Sequence, residues 1–240
     1  MYFKGTALLV LMTVLVGACY NAPEFPSEPS ISFNNIIFKQ GLLVTDPDSL
    51  ILTLNFQDGN GDLGLRADGT DTDYPYHDLW VFNNVNYPDD PNRYVMLSDR
   101  NTPQYDTLPP YEFPYKCLNY TIIDTDTLYV QSNEYHNNIY VKFFTKKNGE
   151  YTEFIFLDLF APECNPLTFD GRYPVLNEPD PNRDRPLEGN LKYKMESAGW
   201  ELIFRQDTLK LDVYIYDRAL NKSNIISTPD FVLKNITVGG

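Results

Sequence analysis

The segment best suited to chemistry is an acidic, glycine-rich stretch that directly follows an alternating apolar run. Asp58, Asn60 and Asp62 are spaced two residues apart, with Gly59 and Gly61 between them. Oxygen side chains at alternate positions can converge on one hard cation, and glycine permits the sharp turn that brings them together. The stretch is therefore a candidate Ca²⁺ site, but ordinary Asx/Gly turn chemistry after a strand is the favoured interpretation.

This stretch is not an EF-hand loop, although its acidity continues along the chain. An EF-hand would place glycine where Leu63 stands and a bidentate glutamate where Gly69 stands. Six aspartates fall between Asp58 and Asp78. Like charges at this density repel one another unless they are solvated or neutralised, which favours a bound cation.

A second polar loop begins at Asp217, directly after the alternating run Leu209–Ile215. If the two apolar runs are strands of the same direction, both polar loops lie at one end of the fold. We expect Asp217 to add a ligand to the cation, or Arg218 and Lys222 to neutralise the aspartates instead.

Signals for catalysis are weak. His77 precedes Asp78, but a hydrolytic triad also needs a nucleophile on a strained turn, and the sequence contains no Gly-x-Ser-x-Gly pattern. We therefore expect no catalytic residues and interpret His77 as a loop histidine. A hydrolase with an unrecognised site is the least favoured function.

The N-terminal segment has the order of a bacterial lipoprotein signal. A basic residue precedes an apolar stretch of about ten residues, which is too short to span a membrane. Val16-Gly17-Ala18-Cys19 resembles a lipobox, so we predict a signal peptide over residues 1–18 and acyl chains, palmitate among them, on Cys19. Residues 19–29 are predicted to form a tether. The outer membrane is the expected location, with the periplasmic and surface-facing sides both open.

Two further cysteines, Cys117 and Cys164, remain after processing. The cell envelope is oxidising, so we predict a disulfide between them, with two buried thiols as the alternative.

The composition excludes some function classes. The chain has 240 residues, with 33 Asp+Glu against 19 Lys+Arg and a net charge of −14. This charge repels nucleic acid, because phosphate binding needs clustered Lys and Arg. Hydrophobic residues make up 42% and aromatic residues 15% of the chain, which is too much for a disordered protein.

Period-two alternation of apolar side chains predicts an all-β fold, an immunoglobulin-like antiparallel β-sandwich. Residues 189–217 read as three consecutive strands. The other predicted strands cover residues 30–38, 50–57, 79–85, 116–123, 138–146, 152–160 and 231–238. We expect one domain over residues 30–240 with a strand-containing insertion around residues 68–174, and a two-domain division of this middle region as the alternative.

Tyrosine-rich loops are a second candidate surface. Aromatic residues surround Pro109-Pro110, and such rings can stack on sugars or anchor a protein partner. Burial of these rings within the fold is the favoured interpretation, and an exposed binding surface is the alternative. The residues concerned are Tyr87, Tyr94, Tyr105, Tyr111, Phe113, Tyr115 and Tyr120.

Three segments carry a family resemblance: the Asp48-Ser49 turn with its alternating strand through Gly64, Gly171–Leu176 and Asp217–Asn224. With them the chain resembles a family of uncharacterised Gram-negative outer-membrane lipoproteins, in which Asp usually stands at the position of Asn60. The resemblance implies an immunoglobulin-like sandwich and a lipid anchor, and it implies no catalytic residues. We therefore expect a non-catalytic interaction module or accessory subunit of an outer-membrane assembly, with a protein partner. Glycan binding through the tyrosine-rich loops is the alternative.

Overall fold

The computed structural model of the chain describes residues 24–43, 46–66, 75–76, 79–81, 96, 120–123, 126–156, 168–177, 185–204 and 206–238. The strands within these ranges are β1 (Ser30–Lys39), β2 (Asp48–Asp58), β3 (Leu79–Val81), β4 (Tyr120–Ile123), β5 (Asp126–Ser132), β6 (Ile139–Lys147), β7 (Glu150–Glu153), β8 (Leu187–Ser197), β9 (Leu209–Ile215) and β10 (Ile226–Ser227). The helices are α1 (Trp200–Phe204) and α2 (Leu233–Ile236).

The strands form antiparallel sheets. The first sheet has the order β1-β2-β8 and the second the order β10-β9-β6-β7. A third sheet has the order β3-β5-β4. The prediction of an all-β sandwich is confirmed. The boundaries of the insertion stay a prediction, and β6 and β7, which fall within its range, pair in the second sheet.

The core lies between the first and second sheets. Alternation along β2 buries Leu50, Leu52, Leu54 and Phe56 while their neighbours face outward. The inward side chains of β6 and β9 close the core from the other side. They are Ile139, Val141, Phe143, Leu209, Leu211, Val213 and Ile215.

The sandwich has two distinct ends. At the tether end, Ser30 begins β1, and Asp58 pairs with Leu187. At the distal end, Lys39 ends β1, and Asp48 pairs with Ser197. Since β2 has 11 residues at about 3.3 Å each, the two ends lie about 33 Å apart.

One predicted strand of the C-terminal run is wrong. Trp200–Phe204 forms the helix α1, in which the Ile203 amide donates to the carbonyl of Gly199 at 2.9 Å. Trp200 and Phe204 are both buried and stack at 5.9 Å. Apolar residues at positions i, i+2 and i+4 fit a strand face, but positions i and i+4 also share one helix face, so a segment this short does not distinguish the two.

The predicted C-terminal strand over residues 231–238 is also wrong. Phe231 and Thr237 make single bridges to Leu209 and Phe38, and the four-residue helix α2 lies between them. The segment therefore closes the core through Phe231 and Leu233 without a continuous strand.

Other strand boundaries differ in ways that turn chemistry explains. β7 begins at Glu150 rather than at residue 152, because Asn148 and Gly149 both have positive φ, 53° and 89°. This is the Asn-Gly hairpin turn that joins two strands directly. β3 and β4 lie within the runs predicted for residues 79–85 and 116–123, whose remaining residues are outside the described part of the chain, and β5 and β10 were not predicted.

Candidate cation site

The site begins where β2 ends. Alternation along β2 turns Asp58 toward the core on the same side as Phe56, and Asp58 is 0% exposed. Its Oδ2 accepts the amide of Asp62 at 3.0 Å. The register that buries four apolar side chains thus also buries a carboxyl group.

Glycines allow the loop after Asp58 to pass close to other backbone segments. The Gly59 amide donates to the carbonyl of Pro26 at 2.9 Å, and a Cβ on Gly59 would lie 2.3 Å from the carbonyl oxygen of Phe25. Gly64 has a φ of +102°, and a Cβ there would lie 2.2 Å from the carbonyl oxygen of Pro174. The loop therefore contacts both the tether and the segment that starts at Gly171.

The second polar loop is a tight turn closed by its own side chains. Asn221 donates its backbone amide to Asp217 Oδ1 at 2.7 Å and its side-chain amide to Oδ2 at 2.8 Å. Leu220 adopts a φ of 66°, a left-handed conformation that is costly for a non-glycine residue. This closure holds Asp217, which is 2% exposed, toward the interior.

The two loops meet at the tether end. The amides of Arg218 and Ala219 donate to the carbonyl and to Oδ2 of Asp62, at 3.1 and 3.0 Å. One carboxylate oxygen from each of Asp58, Asp62 and Asp217 lies within 4.8 Å of the others. Because Ca–O bonds are about 2.4 Å, two ligands on opposite sides of one Ca²⁺ are separated by about this distance.

Two oxygens at the cluster lack the hydrogen bonds that burial normally demands. Asp58 Oδ1 and Asn60 Oδ1 are buried and have no hydrogen-bond partner among the residues that the structure describes. Leaving a buried acceptor unsatisfied costs about 1–3 kcal/mol, and more for a charged group. These oxygens therefore point to a ligand rather than to turn chemistry alone, which would satisfy them with backbone amides.

The electrostatics of the cluster are unfavourable without a counter-charge. Burial, with the nearby carboxylates of Asp62 and Asp217, raises the pKa of Asp58 to about 7. Burial is also the main reason that the pKa of Asp217 is raised to about 6. The ion pairs between described residues include neither Asp58 nor Asp217. A divalent cation would supply the missing charge.

The two cations expected as alternative counter-charges have other contacts. The ammonium of Lys222 lies 3.7 Å from the ring centre of Tyr214, and the guanidinium of Arg218 lies over the ring of Tyr76. Tyr76 also donates its hydroxyl to the carbonyl of Arg218. Asp217 itself contributes an oxygen within 4.8 Å of those of Asp58 and Asp62, as an added ligand requires.

Tyr173 is a buried residue beside the three aspartates whose role was not predicted from the sequence. It is 1% exposed, its hydroxyl donates to the carbonyl of Tyr216, and its amide donates to Asn138 Oδ1. Burial and the three site carboxylates raise the pKa of Tyr173 well above its usual value. A neutral phenol therefore lies beside the cluster.

The three segments that carry the family resemblance converge on this end of the fold. The Leu176 amide donates to the carbonyl of Leu63 at 3.1 Å, which links the first segment to the second. Asp217 belongs to the third segment, whose last residue, Asn224, bonds both backbone groups of Ile31 through its side chain. Arg172 donates to the carbonyls of His136 and Tyr76, at 2.5 and 2.6 Å.

Several predicted residues lie outside the described part of the chain. They are Cys19, Cys117, Cys164, His77 and the tyrosine-rich loop residues Tyr87, Tyr94, Tyr105, Tyr111, Phe113 and Tyr115. Within the described residues, no helix is long and apolar enough to cross a membrane. Comparisons with protein-family models, with curated proteins and with solved structures found no match.

Proposed function

We propose that the chain is a non-catalytic, lipid-anchored envelope protein that acts as an interaction module or accessory subunit of an outer-membrane assembly. The anchor would be Cys19, and the tether follows it in the sequence. Phe25 and Pro26 of the tether contact Gly59 in the loop after β2. The tether end would therefore face the membrane, and the distal end would extend about 33 Å from it.

The observation that carries this proposal is the apolar surface of the distal end. Leu42 and Leu43 follow β1 and are 81% and 66% exposed, and Leu202 on α1 is 76% exposed. Gln40 donates to Glu201 at 2.7 Å and joins the β1–β2 loop to α1. Apolar side chains grouped on two linked segments are typical of a protein interface.

Crosslinking of the lipidated protein in its own membrane tests the interaction module. Leu42→Asp and Leu202→Asp should each abolish a discrete crosslinked species that the unmodified protein forms. Ile225→Asp is the matched control, because Ile225 is 60% exposed but lies next to Asn224 at the tether end. Recovery of a monomer alone, or equal loss in all three variants, would contradict the proposal.

We further propose that one Ca²⁺ stabilises the tether end through the three aspartates, with Asn60 as an additional oxygen ligand. Four chain segments contact the loop after β2: the tether, Tyr173–Leu176, Arg185 and Arg218–Ala219. A cation that neutralises this loop would thus hold the whole end together. Its role would be structural.

Thermal melting tests the calcium proposal. Ca²⁺ should raise the melting temperature of the metal-free protein, because a ligand at 100 times its Kd stabilises the folded state by about 2.7 kcal/mol. Asp217→Asn should remove most of the increase. Glu150→Gln makes the same change of formal charge at an exposed site and should retain it. An unchanged midpoint at millimolar Ca²⁺ in the unmodified protein would refute the structural cation.

A further inference from the structure

A notch interrupts the edge of the second sheet beside the first half of β6. Among the described residues, β7 pairs with β6 from Phe144 to Lys147, and the first half of β6 has a single bridge on this edge, between Ile139 and Gly171. The Val141 amide in this half donates to the carboxylate of Asp170 at 2.8 Å. A cavity of about 240 Å³ opens here, between β6 and the segments Glu153–Phe156 and Thr168–Asp170.

An aromatic row leads to this notch. Tyr140 on β6 and Tyr214 on β9 are register partners, and their rings stack at 4.9 Å with an angle of 6°. Lys222 covers the far face of Tyr214 at 3.7 Å. Because Tyr214 occupies the β9 side of Tyr140, the other face of Tyr140 is the one that lines the notch.

Polar groups flank the ring face. Asp170 accepts from the Val141 amide and from the Thr168 side chain, which leaves about two of its four acceptor positions. At the rim, Lys142 pairs with Glu153 at 3.3 Å. The notch thus combines tyrosine and phenylalanine side chains with carboxylate acceptors and an ammonium donor.

We propose that this notch binds one pyranose ring of a saccharide, with the C–H face of the sugar on Tyr140 and its hydroxyls donating to Asp170. A purely apolar ligand would desolvate Asp170 and the rim ion pair without replacing their hydrogen bonds. Two carboxylates disfavour an anion. The volume lies below the range of about 300–1,000 Å³ typical of drug-sized ligands, which limits the occupant to one ring. The residues named for this site are not those of the tyrosine-rich loops, and the proposal does not depend on the cation.

Calorimetric titration of the full-length protein in detergent tests the proposal. The probes are the methyl glycosides of glucose, galactose, mannose and N-acetylglucosamine, with sorbitol as the open-chain control and cyclohexanol as the apolar ring. At least one glycoside should bind with one site per chain, and neither control should bind. Tyr140→Phe should bind within about twofold of the unmodified protein, since the ring is kept, and Tyr140→Leu should bind about five- to tenfold more weakly.

Matched variants separate a binding role from a folding role. Tyr151→Leu removes a half-buried ring elsewhere in the second sheet and should leave affinity unchanged. Asp170→Asn keeps an acceptor for the Val141 amide but should weaken sugar binding, which gives a second measurement if Tyr140→Leu does not fold. Binding of cyclohexanol alone, absence of glycoside binding at millimolar concentration, or equal affinity in all variants would overturn the proposal.

Discussion

Asp58→Asn should stabilise the metal-free protein, and the gain should grow as the pH rises. The pKa of Asp58 is raised from 3.8 to about 7 in the folded state, so the folded protein binds a proton that the unfolded chain releases. Stability is therefore lost as the pH increases from about 4 to about 7, by about 1.4 kcal/mol for each unit, and the full cost of about 4 kcal/mol is present above pH 7. Asparagine carries no charge, and its oxygen can still accept the Asp62 amide.

Denaturant unfolding in a chelating buffer measures this difference. The free energy of unfolding of Asp58→Asn minus that of the unmodified protein should increase by about 2–3 kcal/mol between pH 5 and pH 8. The denaturant slope should be the same in both proteins. Asp217 titrates in both proteins, so its contribution largely cancels. Glu150→Gln should show no such divergence. A difference between Asp58→Asn and the unmodified protein that is constant with pH, or that shrinks as the pH rises, would refute the buried ionised carboxylate.

Three further substitutions test how the tether end and the core are built. Gly59→Ala places a Cβ 2.3 Å from the carbonyl oxygen of Phe25 and should therefore release the tether from the loop after β2. A glutamate-specific protease should then cleave after Glu24 faster than in the unmodified protein. Gly149→Ala is the control and should leave the cleavage rate unchanged, because a Cβ there meets no atom within 4 Å. Gly64→Ala should cost about 1–3 kcal/mol in denaturant unfolding, since its φ is +102° and Pro174 leaves no space. Trp200→Ala should cost about 3–5 kcal/mol, because its ring is fully buried, and a loss below 1 kcal/mol would contradict the packing around α1.

The sequence predicted the sandwich best where alternation is long. β2 and β9 have eleven and seven residues, and each buries one complete face. Periodicity does not distinguish helix from strand in a short segment. The five residues of α1 fit both patterns equally, so tertiary contacts decide which structure forms. The start of β7 is set by the turn at Asn148-Gly149. An Asn-Gly pair between two apolar runs predicts a two-residue hairpin turn, so this boundary could have been predicted from the sequence.

The candidate site was predictable in its residues but not in its environment. Spacing identified Asp58, Asn60 and Asp62, and the strand preceding Asp217 suggested the shared end. The burial of Asp58 could also have been read from β2, because its position continues the inward alternation. The position of Tyr173 could not be predicted from the sequence. It depends on a backbone contact between Gly64 and Pro174, which are 110 residues apart along the chain.

Calcium stoichiometry tests the central claim most directly. Calorimetric titration of Ca²⁺ into the chelator-treated full-length protein at neutral pH should show one ion per chain, and Asp58→Asn should show none, because the buried oxygens of Asp58 anchor the site. Glu150→Gln should bind as the unmodified protein does. A protein that takes up no Ca²⁺, or an Asp58→Asn variant that binds it equally well, would contradict the account.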